Sequence, residues 1–143
     1  MTNHSDRRRR RARRPIAPRR GPGAAPRRAT SLRPARIEVR IEQHATVAVL
    51  RVAGEFDLCA VDRVEAALDR AIDRLTDQVV VDLRGVSFLD VSGLRTLVRA
   101  DERARSQSFA FRVVPPPGPV ARIFSLTAAG RGLVLLDAPP GSP

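Results

Sequence analysis

The stretch from Gln78 to Val98, QVVVDLRGVSFLDVSGLRTLV, constrains the fold more than any other part of the chain. Val79, Val80, Val81 and Leu83 form a nearly continuous apolar run rich in β-branched residues, which predicts a strand covered on both faces. Gly85 is expected to end that run. After a second short apolar patch, Phe88-Leu89, the period changes. Leu94, Leu97 and Val98 fall at helical spacing, which continues to Asp101 and Ala104. The change of period falls at Asp90-Val91-Ser92-Gly93. A strand that feeds a helix through a short polar turn presents that turn at the end of the sheet, where free helix N–H groups can meet an anion. Any function of the chain is expected there.

The flanking segments supply the other elements. Ile37 to Glu42 alternates strictly and predicts a strand with one wet face; Gln43, His44 and Ala45 turn it, and Val47 to Ala53 returns as a more central, antiparallel partner. Gly54-Glu55-Phe56-Asp57 closes that strand, with Asp57 placed to cap the next helix. Val61, Val64, Leu68, Ile72 and Leu75 form the apolar side of this helix. Asp62, Arg63, Glu65, Asp69, Arg70, Asp73 and Arg74 form its polar side. Ser106-Gln107-Ser108 breaks the following helix, and Phe109 to Val114 predicts another strand. Pro119 suits a first helical position, and Val120, Ile123 and Phe124 give a third helical face. Leu133 to Leu136 reads as a last edge strand. Strands that alternate with helices return parallel most economically, so an α/β fold is expected: a mixed sheet of about five strands with amphipathic helices packed on it.

Charge divides the chain in two. All 26 basic residues are Arg, a usage that suggests a bacterial genome of high GC content, and 13 of them lie in residues 1–36 beside one acid, Asp6. Residues 37–143 hold the other 13 against 14 acids and are close to neutral. The first segment mixes Arg runs with Pro and Gly, buries too little apolar surface to offset its ordering cost, and is expected to be disordered. It reads as a solubilising extension, as a stretch upstream of the true start, or as a holder of nucleic acid or anionic surface by charge. The globular domain is expected at 37–137, with a flexible end at 138–143. The lone Cys59 excludes an internal disulfide and reads as a small buried residue near a helix start. No apolar run approaches the length of about 20 residues that spans a bilayer, and no apolar signal core follows the Arg-rich start. A soluble, cytoplasmic chain is expected. No zinc spacing, phosphate loop or dinucleotide fingerprint appears, so neither metal nor cofactor is expected.

Residues 37–137 resemble the anti-sigma factor antagonist family, that is, a stand-alone STAS domain. Three features carry the resemblance: the Gly54-Glu55-Phe56-Asp57 turn, the VVVDLRGVSFLDVSGLRTL block, and Val120 to Thr127 before the last strand. The resemblance implies that Ser92 is phosphorylated by a partner anti-sigma factor of the serine-kinase type, with Asp90 the matching preceding acid. It implies a partner switch: the unphosphorylated antagonist binds the anti-sigma factor and frees a sigma factor, and phosphorylation ends the binding. Asp90, Val91, Ser92, Gly93 and Leu94 would form the switch turn and partner surface, with Glu55 and Asp57 as secondary surface candidates. Val91 stands where the family usually has Ser or Thr, and Ala128-Ala129-Gly130 replaces a more usual turn at the end of the third helix.

The physics of such a switch is general. A phosphoserine carries about −1.5 to −2 charges and is tolerated at a helix N-terminus by the dipole and free N–H groups. An acid on a docked partner about 4 Å away would cost about 4 kcal/mol at an effective dielectric near 20, or about a thousandfold in affinity. Asp90 would orient the Ser92 hydroxyl or repel the added phosphate. From the turn alone, Ser92 also reads as a helix cap, Asp90 as a cap or turn acid, and Asp82 as a structural hydrogen-bonding residue. An enzyme is not expected: the Gly-x-Ser-x-Gly elbow is absent, and the two histidines, His4 and His44, lie far in sequence from Ser92. Two other readings stand beside the antagonist: a STAS scaffold that self-associates into a larger signalling assembly, and a binder of nucleic acid or membrane surface driven by the Arg-rich segment.

Overall fold

A computed structural model of the chain describes residues 36–73 and 75–142, apart from the side chains at 129 and 130. The disorder expected for residues 1–36 lies outside these, Arg36 excepted, as does Arg74 on the first helix. The alternating segment forms β1 (Ile37–His44), which turns at Ala45 with φ 52° and pairs antiparallel with β2 (Val47–Phe56). A 3-10 turn (Leu58–Ala60) leads into α1 (Val61–Ala71), followed by β3 (Gln78–Leu89), α2 (Val91–Gln107), β4 (Ala110–Val114) and α3 (Pro119–Gly130). The sheet order is β1-β2-β3-β4, and β3 is parallel to both neighbours. The mixed sheet with helices packed on it is the expected architecture.

Side-chain alternation assigns the two faces. Leu50 and Val52 of β2, Val79, Val81 and Leu83 of β3, and Phe111 and Val113 of β4 point to the helices. There they join Val64 and Leu68 of α1, Leu97 and Ala100 of α2, and Phe124 of α3 in one buried core. Each fully buried Val, Leu or Phe contributes about 1.5–3 kcal/mol relative to exposure. The opposite face carries a smaller cluster, Val49, Val80 and Val114, with Val47 and Leu136 against it.

Four expectations are corrected. First, the sheet has four strands, not five: Leu133–Leu136 makes only a single parallel bridge, Leu135 to Val113, with two backbone hydrogen bonds. Gly132 at φ 75° bends the chain just before it, and Leu136 leans onto Val49, Val80 and Val114. The prolines beyond it have no N–H to extend a ladder. Second, β3 does not end at Gly85 but runs through it to Leu89. Glycine is needed there because a Cβ would meet the Ala53 Cβ at 2.8 Å. Third, α1 stops at Ala71, so Ile72 is its C-cap, and Leu75 lies beyond the helix and is exposed. Fourth, Cys59 sits on the outer side of the 3-10 turn and is exposed, not buried. In the segment expected to be flexible, 138–143, Pro139 is buried and the Ser142 hydroxyl oxygen accepts a hydrogen bond from Arg84.

The open face also holds an ion-pair network. Asp82 accepts hydrogen bonds from the Arg84 N–H at 3.1 Å, the Arg84 guanidinium at 3.0 Å and Arg51 at 2.9 Å, while Arg51 also reaches Glu42 at 2.8 Å. Burial pushes the Asp82 carboxyl up, but hydrogen bonds and charge from Arg84, joined by Arg51, outweigh this and hold it below the usual range. The hydrogen-bonding role expected for Asp82 is the one it has. A carboxyl depressed in the folded state stabilises above its unfolded value of about 3.9 and loses that stabilisation as pH falls through the lower folded value. Thermal unfolding across this range should therefore show a melting temperature that drops below about pH 4. In Asp82→Asn this acid limb should flatten, with a loss of about 1–3 kcal/mol at neutral pH.

Candidate functional site

The end of β3 and the start of α2 form the turn that the change of period marks. The partner offset between β2 and β3 grows at two register shifts, one between Arg51 and Ala53 and one between Gly54 and Glu55. Each shift adds a residue to β3, which increases local twist and re-aims the end of the strand. Phe56 and Leu89 remain paired at the end, and the Asp90 N–H donates to the Phe56 carbonyl at 3.3 Å. The turn is thus held against the end of β2, beside Glu55 and Asp57.

Asp90 has extended φ/ψ and its carboxylate accepts from the Gly93 N–H at 3.0 Å, so it is the N-cap of α2. Val91 and Ser92 are then the first two helical residues. The cap reading for the turn therefore belongs to Asp90, not to Ser92. Ser92 is half-buried; its carbonyl accepts from the Thr96 hydroxyl at 3.0 Å, and among the described residues its own hydroxyl has no hydrogen-bond partner. Nor does Asp90 hold that hydroxyl. The Val91 and Ser92 N–H groups are also without protein partners among the described residues, as expected for a first turn.

Gly93 is buried where no side chain fits. A Cβ would lie 2.6 Å from Leu89 Cδ1, 2.7 Å from the Phe56 carbonyl oxygen and 3.1 Å from Phe56 Cγ. The Glu55–Asp57 turn is thereby brought against the Asp90–Gly93 turn. Asp57 caps the 3-10 turn ahead of α1 by accepting from the Cys59 N–H at 3.0 Å, and the Glu55 N–H donates to the Arg36 carbonyl at 2.8 Å. Neither acid engages Ser92 among the described residues.

Beside the turn lies a groove of about 390 Å³ between α2 and α3, lined by Phe88, Val91 and Leu94 on one wall and Val120, Ile123 and Thr127 on the other. Its rim is unusually apolar for a surface: Phe88 is 49% exposed, Val91 63%, Ile123 68%, and Leu126 on the outer side of α3 73%. The sequence places Val120, Ile123 and Phe124 on one core-facing side, yet only Phe124 is buried. α3 carries a single charge, Arg122, so its sequence has no polar side from which to orient it. The surplus of apolar residues on a helix too short to bury all of them was the available signal. Among the described residues, no group of three or more His, Cys, Asp or Glu is placed to hold a metal ion, and no helix is long and apolar enough to cross a membrane.

Two substitutions test the build of the turn by chemical denaturation. Asp90→Ala should cost about 1 kcal/mol, whereas Asp90→Asn, which can still cap, should cost only a fraction of that. An ordinary Gly-to-Ala change in a helix gains about 1 kcal/mol. Gly93→Ala should instead lose about 1–3 kcal/mol, because the added methyl has no room.

Known proteins of similar sequence and shape bear on this site. The STAS domain model matches residues 38–134. The anti-sigma-F factor antagonist RsfB of Mycobacterium tuberculosis is 36% identical over 81 residues, 57% of this chain and 66% of that protein, so the match spans just under two thirds of its length. The crystal structure of an anti-sigma factor antagonist from Mycobacterium paratuberculosis superposes with a TM-score of 0.63 at 29% identity, covering 71% of this chain and 86% of the other. SpoIIAA in its unphosphorylated form shares the fold, with a TM-score of 0.59 at 22% identity over 72% of this chain and 90% of its own. With a family match over most of its length and the same mixed sheet, the chain belongs to the STAS domain family.

Proposed function

We propose that the chain is an anti-sigma factor antagonist, a regulatory protein and not an enzyme, acting in the cytoplasm. It binds an anti-sigma factor of the serine-kinase type, frees a sigma factor for transcription, and is switched off by phosphorylation of Ser92. One observation carries the reading: Ser92 stands at the second position of α2 with its hydroxyl uncommitted among the described residues, because Asp90 makes the cap. A cap hydroxyl would be tied to a backbone N–H; this one is open to a phosphoryl donor. The identity to RsfB and to the Mycobacterium paratuberculosis antagonist supports the partner class.

The geometry also suits the modified state. A phosphate on Ser92 would sit at the first turn of a 17-residue helix, where the dipole and the unpartnered N–H groups of Val91 and Ser92 stabilise negative charge. The domain would therefore keep its fold, and the cost of the phosphate would fall on a docked partner. Asp90, two residues before Ser92 and committed to its cap, adds a like charge at the same helix end.

Intact-mass spectrometry after incubation with ATP and the anti-sigma kinases of the source genome tests the proposal. The expected result is one added phosphate on the wild type and none on Ser92→Ala, with partner binding retained by the variant and lost by the phosphorylated protein. Binding of no anti-sigma factor by the unmodified chain would sink the antagonist reading. Binding without modification of Ser92 would leave the antagonist and remove the switch.

A further inference from the structure

β1 (Ile37–His44) stands at one end of the sheet order, and among the described residues no strand pairs with its outer side. Its pairing with β2 shows which of its groups face outward. The Arg36 carbonyl accepts from the Glu55 N–H, and backbone groups alternate sides along an antiparallel ladder. Those of Glu38, Arg40 and Glu42 therefore point to β2, and those of Ile37, Val39 and Ile41 point away. The Arg63 guanidinium reaches the Ile37 carbonyl from α1 at 2.8 Å, in agreement with that assignment. The edge thus offers N–H and C=O groups for pairing, beside an Ile41 side chain that is 37% exposed.

The sequence of this edge is complementary to itself. Residues 36–42 read RIEVRIE, and reversal about Val39 sets Arg36 against Glu42, Ile37 against Ile41, Glu38 against Arg40 and Val39 against Val39. We propose that a second copy of this chain pairs with the edge, antiparallel and centred on Val39, so that the two sheets join into one across a two-fold axis. In that register Val39 exchanges both backbone hydrogen bonds with its symmetry mate, and Ile37 and Ile41 exchange theirs with each other across the axis. Side chains opposite one another share a face of the sheet. The apolar pairs fall on the helix side, where Ile37 and Val39 already join the core, and the charged pairs fall on the open face.

Charge selects both the register and the occupant. A centre moved by one residue, to Arg40, sets Arg40 against Arg40 and Glu38 against Glu42; a centre at Ile41 sets Val39 against Gln43. In-register parallel pairing sets each acid against its own copy. Within one copy Glu38 and Arg40 pair with each other at 2.6 Å, both well exposed, and such a pair costs little to exchange for cross-strand ones. Alternating charges that discourage a foreign strand therefore fit this chain's own edge. At the end of the edge, the Ile37 carbonyl has a second lone pair beside Arg63 for the Ile41 N–H of the second copy. None of these residues belongs to the Asp90–Leu94 turn, so the inference is independent of the function proposed above, and the dimer carries two such turns.

Sedimentation velocity of the full chain over a rising concentration series, at salt that screens its net positive charge, tests this. A dimer should form. Hydrogen exchange read by nuclear magnetic resonance should show the Val39 and Ile41 amides gaining protection with concentration, while those of Glu38 and Arg40, bonded to β2, stay protected throughout. Glu38→Arg and Arg40→Glu, both at exposed positions, should each melt as the wild type does and weaken the dimer about tenfold, because each sets like charges across the axis. Mixed in equal amounts, the two variants should recover association as a heterodimer, and the double variant should recover it with itself. A wild type that stays monomeric up to about 1 mM would overturn the proposal. So would a dimer that both single variants retain, variants that fail to associate on mixing, or concentration-dependent protection that appears elsewhere and spares Val39 and Ile41.

Discussion

The site depends on the close approach of the first turn of α2 to the end of β2. At Gly93 the helix backbone comes so near the Phe56 carbonyl and the Leu89 side chain that any Cβ would overlap both. The Asp90 N–H then bonds to Phe56, and the Asp90 carboxylate closes the first turn on the Gly93 N–H. These contacts fix the position of the turn without the Ser92 side chain. Ser92, two residues after the cap, inherits a rigid setting without contributing to it, and its hydroxyl is left open for chemistry.

The sheet determines how β3 reaches that point. Two added residues relative to β2 twist the second half of the strand, and Gly85 lets β3 pass Ala53 closely where a side chain would collide. The first half needs no such device. There Val79, Val80 and Val81 are all buried, because helices cover one face while Leu136 and the Val49–Val80–Val114 cluster cover part of the other. On the rest of that face Asp82 gathers Arg51 and Arg84, so a buried carboxylate is paired with charge-assisted hydrogen bonds and not left alone.

The exposed apolar rim of the groove is a second consequence of geometry. α3 is short and carries one charge, and only one side of it can face the core. Phe124 takes the core position; Ile123 and Leu126 remain outside beside Phe88 and Val91. In a domain with so many charged residues elsewhere, this apolar strip beside the start of α2 is an uncommon exposure.

Much of this was legible in the chain itself. The β-branched run, the alternation of β1, the 3.6-residue period of α1 and α2 and the turn between Leu89 and Leu94 determined the mixed sheet and the place of the site, because periodicity records which side of an element is buried. The Gly54–Asp57 turn, the block around Asp90–Leu94 and Val120 to Thr127 together carried the family resemblance. The tertiary structure alone decided three things. It assigned the cap to Asp90 and freed Ser92, since the two share the same local preference and only the approach to Phe56 separates them. It reduced Leu133–Leu136 to a single bridge, since strand formation there depends on a neighbour with groups to pair. And it turned Ile123 outward, since a helix almost without charge has no polar side, and only the shape of the core it packs on selects the face that is buried.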